Sequence, residues 1–239
     1  MQLRIATYNL HGGIGTDGIR DYRRIGRHLS DLQVDIALLQ EVDARHQFVS
    51  PELNPVALCQ YPQQALVAAP AINEDGGWYG NALLSRFPVI ESRSVDVSQI
   101  GVEPRNIQVA KVDINGIHLH VINTHKGLKV AERQFQFAKL CEQLEILSQQ
   151  PEAILLGGDF NEWQFFSSAF QGIKQVLQPI KTGATFPSRW PLFRLDRLWI
   201  KATDSLDKTF PMPKARVVKN AHTRLHSDHC PVIADIHID

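Results

Sequence analysis

Residues 153–161 read AILLGGDFN. Four apolar residues make a short buried-strand pattern, two glycines permit a tight change of direction, and Asp159 and Asn161 stand where the apolar run stops. The same arrangement recurs along the chain. Asn9 follows Ile5-Ala6-Thr7-Tyr8, Glu41 follows the run 36–40, His125 follows 121–124, and Asp228-His229 precedes the closing strand 232–238. For any one of these residues, turn formation or capping is a sufficient explanation. The set asks for more, because it gathers amides, carboxylates and imidazoles at separate strand ends. That inventory suits a hard cation and a phosphate, and magnesium, which takes one or two protein carboxylates and keeps open water or phosphate positions, needs no more than Glu41 and Asp228.

Strand-like runs are also expected at 3–8, 35–40, 82–85, 107–114, 117–123 and 198–201. Asn115-Gly116 between two of them suits the positive φ angles of a tight hairpin turn, so that pair should be antiparallel. Helical spacing appears over 22–32 and over 131–147, where Phe137, Leu140, Cys141, Leu144 and Leu147 share one face. Strands this numerous and this mixed in connection fit two packed mixed sheets covered by helices better than one parallel sheet. Two stretches, 70–79 with Gly76-Gly77 and 208–224 with Pro211 and Pro213, read as loops and candidate substrate walls.

The chain has 239 residues, 44% hydrophobic and 21% charged, which excludes a disordered composition and suits one domain over 1–239. Lys+Arg and Asp+Glu both number 25, so no global basic footprint marks it as a nucleic-acid binder. Three widely spaced cysteines give no zinc or disulfide pattern. With no signal-peptide pattern and no apolar run approaching the roughly 20 residues of a membrane span, the expectation is a cytoplasmic monomer, compatible with peripheral membrane contact.

Seven segments in order carry a family resemblance: Thr7-Tyr8-Asn9, Leu39-Gln40-Glu41-Val42, Gly80-Asn81 with the run to Arg86, Asn123-Thr124-His125, Gly158-Asp159-Phe160-Asn161, Leu195-Asp196-Arg197-Leu198 and Ser227-Asp228-His229-Cys230-Pro231. The chain thereby resembles the endonuclease/exonuclease/phosphatase superfamily of DNase I-like metal-dependent phosphohydrolases over nearly its whole length. The resemblance implies an α/β four-layer sandwich, with two mixed β-sheets face to face and helices outside. It also implies Mg2+ as cofactor, with Mn2+ as a substitute, held by Asn9, Glu41 and Asp228. Asp159 would orient or deprotonate the attacking water, and His125, Asn161 and His229 would face the phosphoryl oxygens.

Asp196 resembles the family carboxylate that orients His229; its competing reading is a surface salt bridge with Arg194 or Arg197. Arg105, just before a strand, suits bidentate phosphate binding, with an ordinary solvated arginine as the alternative. His11 and Asn81 lie beside motif residues as candidate pocket lining. His28, His118, His120 and His237 sit within presumed helix and strand surfaces and receive no role.

The segments from Thr124 to Gln136, Thr185-Phe186-Pro187-Ser188 and Arg194 to Arg197 look like a bacterial phosphodiesterase branch of undefined substrate, some of whose members are associated with phospholipid metabolism. Lys126 and Lys129 depart from that pattern and read as local positive charge. The expected function is a magnesium-dependent phosphodiesterase on a small or lipid-derived phosphoester. A DNA or RNA nuclease is the alternative, supported by Lys126, Lys129, Arg133, Arg189, Arg194 and Arg197. An inactive binding protein is disfavoured because the catalytic inventory is complete.

Overall fold

The computed structural model describes residues 1–164, 167–201 and 213–237. The first sheet is built from β1 (Gln2–Asn9), β2 (Ile36–Asp43), β3 (Ala65–Glu74), β4 (Gly77–Ser85), β11 (Ala215–Val217) and β12 (Val232–His237), in the order β11-β12-β1-β2-β4-β3. The second is built from β5 (Val89–Asp96), β6 (Asn106–Ile114), β7 (Ile117–His125), β8 (Ala153–Asp159), β9 (Gln178–Ile180) and β10 (Asp196–Lys201), in the order β5-β6-β7-β8-β10-β9. Both sheets are mixed. β1 pairs with β2, and β7 with β8, in parallel, while the other pairings are antiparallel.

Strand alternation sorts the side chains into layers. Leu3 and Ile5 of β1, with Leu38 of β2, meet Val121, Leu155 and Leu198 of the second sheet in a core between the sheets. Ala6 and Tyr8 of β1 turn outward, against Tyr22, Ile25 and Leu29 of helix α1 (Tyr22–Asp31). On the other side, Ile122, Ile154 and Leu156 pack beneath Phe137, Leu140 and Leu144 of α2 (Val130–Ser148) and Ile173 of α3 (Gln171–Val176). Helix, sheet, sheet, helix is the four-layer sandwich expected from the resemblance. Asp21 caps α1 by accepting from the Arg24 N–H at 3.1 Å, satisfying one of the free donors of the first turn. A short helix, α4 (Ala221–His226), carries its own capping box at Asn220 and Thr223.

The Asn115-Gly116 turn forms as expected, with φ of 54° and 92°, and joins β6 to β7 antiparallel. The loop expected at 70–79 is instead the tip of the β3–β4 hairpin. Pro70 is tolerated because β3 is an edge strand and the ladder shifts register between Pro70 and Ile72. There the chain comes so close to Gly80 that a Cβ would lie 2.5 Å from the Ala69 carbonyl oxygen. Of the second expected loop, 208–212 lie outside the described residues; the rest includes β11 and α4. Ile238, expected in the closing strand, also lies outside them.

Candidate active site

Parallel strands bring their carboxyl ends to one edge of the sandwich, and antiparallel partners bring their amino ends to the same edge. Asn9 ends β1, His125 ends β7 and Asp159 ends β8, while Asp196 begins β10 and sits in register with Asp159. Glu41 lies near the end of β2, at a register shift between Leu39 and Val42, with φ at 53°. A β-bulge in the left-handed region turns its side chain off the strand's alternation, a strain typical of functional positions.

The Asn9 amide ties the centre together. Its Nδ2 donates to Glu41 Oε1 at 2.9 Å and to Asp159 Oδ2 at 3.0 Å, while its Oδ1 accepts from the His11 N–H at 3.0 Å. Asp159 Oδ1 accepts from the Asn161 N–H at 2.9 Å. Asn161, itself at φ 47°, donates from Nδ2 to the Lys126 carbonyl at 2.9 Å and lies 3.3 Å from His125 Nε2. His125 Nε2 is 3.7 Å from both Glu41 Oε1 and Asp159 Oδ2.

His229 completes the deep side. Its Nδ1 is 2.8 Å from Asp196 Oδ2, and its Nε2 is 3.6 Å from Asp159 Oδ2. Asp196 is fully buried in this pair, so the competing reading of a surface salt bridge with Arg194 or Arg197 is set aside. Burial alone would lower the His229 pKa, but the flanking Asp196 and Asp159 charges and the Asp196 hydrogen bond override it and raise it to about 10. The Asp159 carboxyl is raised to about 6, chiefly by burial and then by Asp196, against the opposing pull of His229 and the Asn161 and Asn9 hydrogen bonds. His125 is pushed well below its ordinary value, first by burial and then by Arg105, His229 and Lys126, and is therefore neutral at pH 7.

The shallow side is more open. His11, Glu41 and Asp228 side chains keep 48%, 23% and 35% of their surface, and His11 Nδ1 lies 3.9 Å from Glu41 and 3.6 Å from Asp228. Ser227 Oγ donates to the Asn9 carbonyl at 2.7 Å and accepts from the His229 N–H at 3.1 Å, which pins the segment bearing Asp228 to β1.

Arg105 and Asn81 border a narrow pocket with Tyr79 and His125. Arg105 is buried and paired with Glu103 at 2.8 Å, not freely solvated. Asn81 donates to the Asn106 carbonyl and side-chain oxygens at 3.1 and 2.8 Å.

Among the described residues, two carboxylate groupings could hold a metal. Asp159, Asp196 and His229 offer ligand atoms within 4.8 Å of one another. All three are buried, however, and His229 Nδ1 is engaged by Asp196, whereas magnesium keeps several of its waters. Glu41 and Asp228, half-open to solvent and both within 4 Å of His11 Nδ1, fit a hydrated hard cation better. The donor set is all oxygen, and the excess of carboxylates over cations at this edge favours a positive ion where a phosphate must approach.

Several neighbours escaped the sequence reading. Phe186 lies 4.9 Å, ring centre to ring centre, from His229. Gln40 donates to Asn123 Oδ1 at 2.7 Å, and Asn123 donates to the Leu39 and Ala82 carbonyls at 2.9 and 3.1 Å, lacing the two sheets beneath the site. Phe186 and Ser227 stood inside recognisable segments, but only the fold shows what they touch.

Of the six cations that favour a nuclease in the sequence, three are buried. Lys126 is fully buried, donating to the Gln136 carbonyl at 3.0 Å, and burial lowers its pKa to about 7. Arg133 is buried against the Leu128 carbonyl at 2.5 Å and near Glu162 at 3.8 Å. Arg197 is buried over the Phe170 ring. Lys129, Arg189 and Arg194 remain exposed.

The Endonuclease/Exonuclease/phosphatase family model matches residues 6–229. Protein YbhP of Escherichia coli K12, itself uncharacterized, is 30% identical over 98% of this chain and 96% of its own length. Among solved structures, an endonuclease/exonuclease/phosphatase from Bacteroides vulgatus superposes with a TM-score of 0.78 at 18% identity, covering all of both chains. A mannosyl-6-phosphatase of Bacteroides thetaiotaomicron gives 0.77 at 20% identity over 97% of this chain and 98% of that one. A humanized TDP2 of D. rerio gives 0.73 at 16% identity over 99% of each.

Proposed function

Because the chain belongs to the endonuclease/exonuclease/phosphatase family, whose members are phosphoester hydrolases, we propose that it is a magnesium-dependent phosphodiesterase acting on a small or lipid-derived phosphoester in the cytoplasm, as a monomer. The observation that carries this reading is the buried run Asp196–His229–Asp159, set beside Glu41 through the Asn9 amide.

Asp159 accepts the proton of the attacking water through Oδ2. Its Oδ1 is held by the Asn161 N–H, and its raised proton affinity brings it close to the working range of a general base. His229, held as an imidazolium by Asp196, donates to a phosphoryl oxygen as charge builds there. Asn161 fixes the neutral His125 beside them, and Arg105 lies beyond His125 toward the substrate's flank. Glu41 and Asp228 would hold the magnesium, which supplies charge neutralisation for the phosphate when bound; Asn9, whose Nδ2 donates to Glu41 and whose Oδ1 accepts from the His11 N–H, would act through Glu41 or a water.

A small substrate is favoured over nucleic acid by the burial of Lys126 and Arg133, since charges enclosed in the protein cannot track a phosphate backbone. The mannosyl-6-phosphatase likeness keeps a phosphomonoester within reach of the same chemistry.

The test is magnesium-dependent hydrolysis of a chromogenic phosphodiester beside nicking of supercoiled plasmid, with wild type and Asp159→Asn from matched preparations. Asp159-dependent turnover of the diester with intact plasmid is expected. Asp159-dependent nicking well above the diester rate makes the protein a nuclease, and activity that survives in a folded Asp159→Asn variant removes the mechanism.

A further inference from the structure

Behind the catalytic edge, on the outer face of the second sheet, a cavity of about 520 Å³ opens between α3, β9 and β10. Arg194, Arg197, Lys174 and Lys181 line it together with Phe170 and Trp199, and among the described residues no Asp or Glu does. Strand alternation explains its place: Asp196 turns into the catalytic centre, and Arg197, one residue on, turns to the opposite face.

Arg197 is the anomaly. It is 8% exposed, its guanidinium lies 4.2 Å from the centre of the Phe170 ring, and its Nε has no hydrogen-bond partner. No carboxylate of the described residues pairs with it; Glu162, the acid whose charge favours it most, lies 3.8 Å from Arg133, and Asp196 is taken by His229. Trp199, 2% exposed and on the same wall, also leaves its indole Nε1–H unpartnered. A buried, unpaired guanidinium beside a second arginine is costly, and such groups are ordinarily compensated by an anion. Burial, and then the neighbouring Arg194, lower the Arg197 pKa to about 10, which leaves it cationic at neutral pH.

We propose that this cavity is a second anion site, distinct from the catalytic centre, that takes a phosphate-bearing small molecule. Arg197 supplies the fixed planar fork, the Trp199 indole and Phe170 ring shape its wall, and Lys174 and Lys181 add mobile charge at the mouth. A smaller cavity of about 220 Å³ shares Arg194 and Arg197 and continues past Trp163 and Phe193. Trp163 packs on both Phe193 and Phe186, and Phe186 lies against His229, so one aromatic chain runs from the anion site to the catalytic imidazole.

Calorimetric titration of the full chain with sodium pyrophosphate in EDTA tests the site without turnover, so it stands or falls apart from the phosphoesterase reading. Wild type and His229→Ala are expected to bind equally. Arg197→Gln is expected to lose binding by roughly tenfold or more, the scale of a charged hydrogen bond. Lys174→Gln combined with Lys181→Gln, at two exposed positions, is expected to weaken it less but measurably, with the melting temperature retained. Binding that is lost in His229→Ala and unchanged in the lysine variant, or no binding by wild type at millimolar pyrophosphate, overturns the proposal. The source of the phosphate is read from rates. If it belongs to the substrate, Arg197→Gln raises KM for a doubly phosphorylated ester and spares kcat; if it belongs to a separate molecule, KM is unchanged while pyrophosphate binding is still lost.

Discussion

Asn9 touches two carboxylates with one amide nitrogen, and the two could hardly be placed more differently. Asp159 is 1% exposed, hydrogen-bonded by Asn161 and faced by His229; Glu41 stands on a bulge with nearly a quarter of its side chain in solvent. Burial raises the proton affinity of the first into the range where it can exchange a proton at neutral pH. The second keeps room for an ion's water shell. On the proposed mechanism, two acids of one chemistry would thus divide proton transfer and cation holding by environment alone.

The sharpest break of that comparison is at Asp159. Asp159→Asn, and separately His229→Ala, should reduce kcat by roughly 10²–10⁴, the range for a positioned acid or base, with the melting temperature retained. Near-wild-type rates in folded variants would erase the distinction between the deep and shallow sides.

Next comes the pH profile. Activity should rise as Asp159 loses its proton near pH 6 and fall as His229 loses its own near pH 10. Asp196→Asn removes the charge that raises His229 and leaves at most a neutral amide acceptor, so the alkaline limb should move to lower pH; a limb that stays put would detach His229 from that role.

Glu41→Gln should leave kcat at saturating magnesium closer to wild type, while the magnesium needed for half-activation rises by about tenfold or more, as for loss of a charged ligand contact. An unchanged metal titration would move the cation elsewhere, the deep acidic group included.

The smallest effect is expected at Lys126, which contacts neither carboxylate. Its folded-state pKa lies below the unfolded value of 10.5, at about 7, so the unfolded chain binds the extra proton across that interval. Stability contributed by wild type relative to Lys126→Met should therefore grow as pH rises from 7 toward 10, with activity unaffected. Melting curves of both proteins across that range decide it, and a gap that shrinks would place the ammonium in a solvated setting.

The strand-end residues were legible because a run such as Ile154-Leu155-Leu156 declares its burial and the first polar group after it marks the edge. The hairpin around 70–79 was not, since Pro70 and Gly76-Gly77 carry turn chemistry that an edge strand with a register shift also accommodates. Nor was β5, whose side chains are mostly exposed and so lack a repeating apolar face. Lys126, Arg133 and Arg197 looked like surface charge because sequence records a side chain's type and not its surroundings.

What the sequence determined by itself was therefore the alternation of apolar strands, the helix faces, the Asn115-Gly116 turn and the order of polar residues at strand ends, all set by local spacing and backbone preference. The family resemblance already pointed to Asp196 as the partner of His229; the tertiary structure alone decided that Asn9 meets Asp159 across 150 positions and that Arg197 faces away from both into a cavity of cations. Those outcomes depend on which strands pair and which face each residue takes, and burial, charge and proton affinity follow from that pairing.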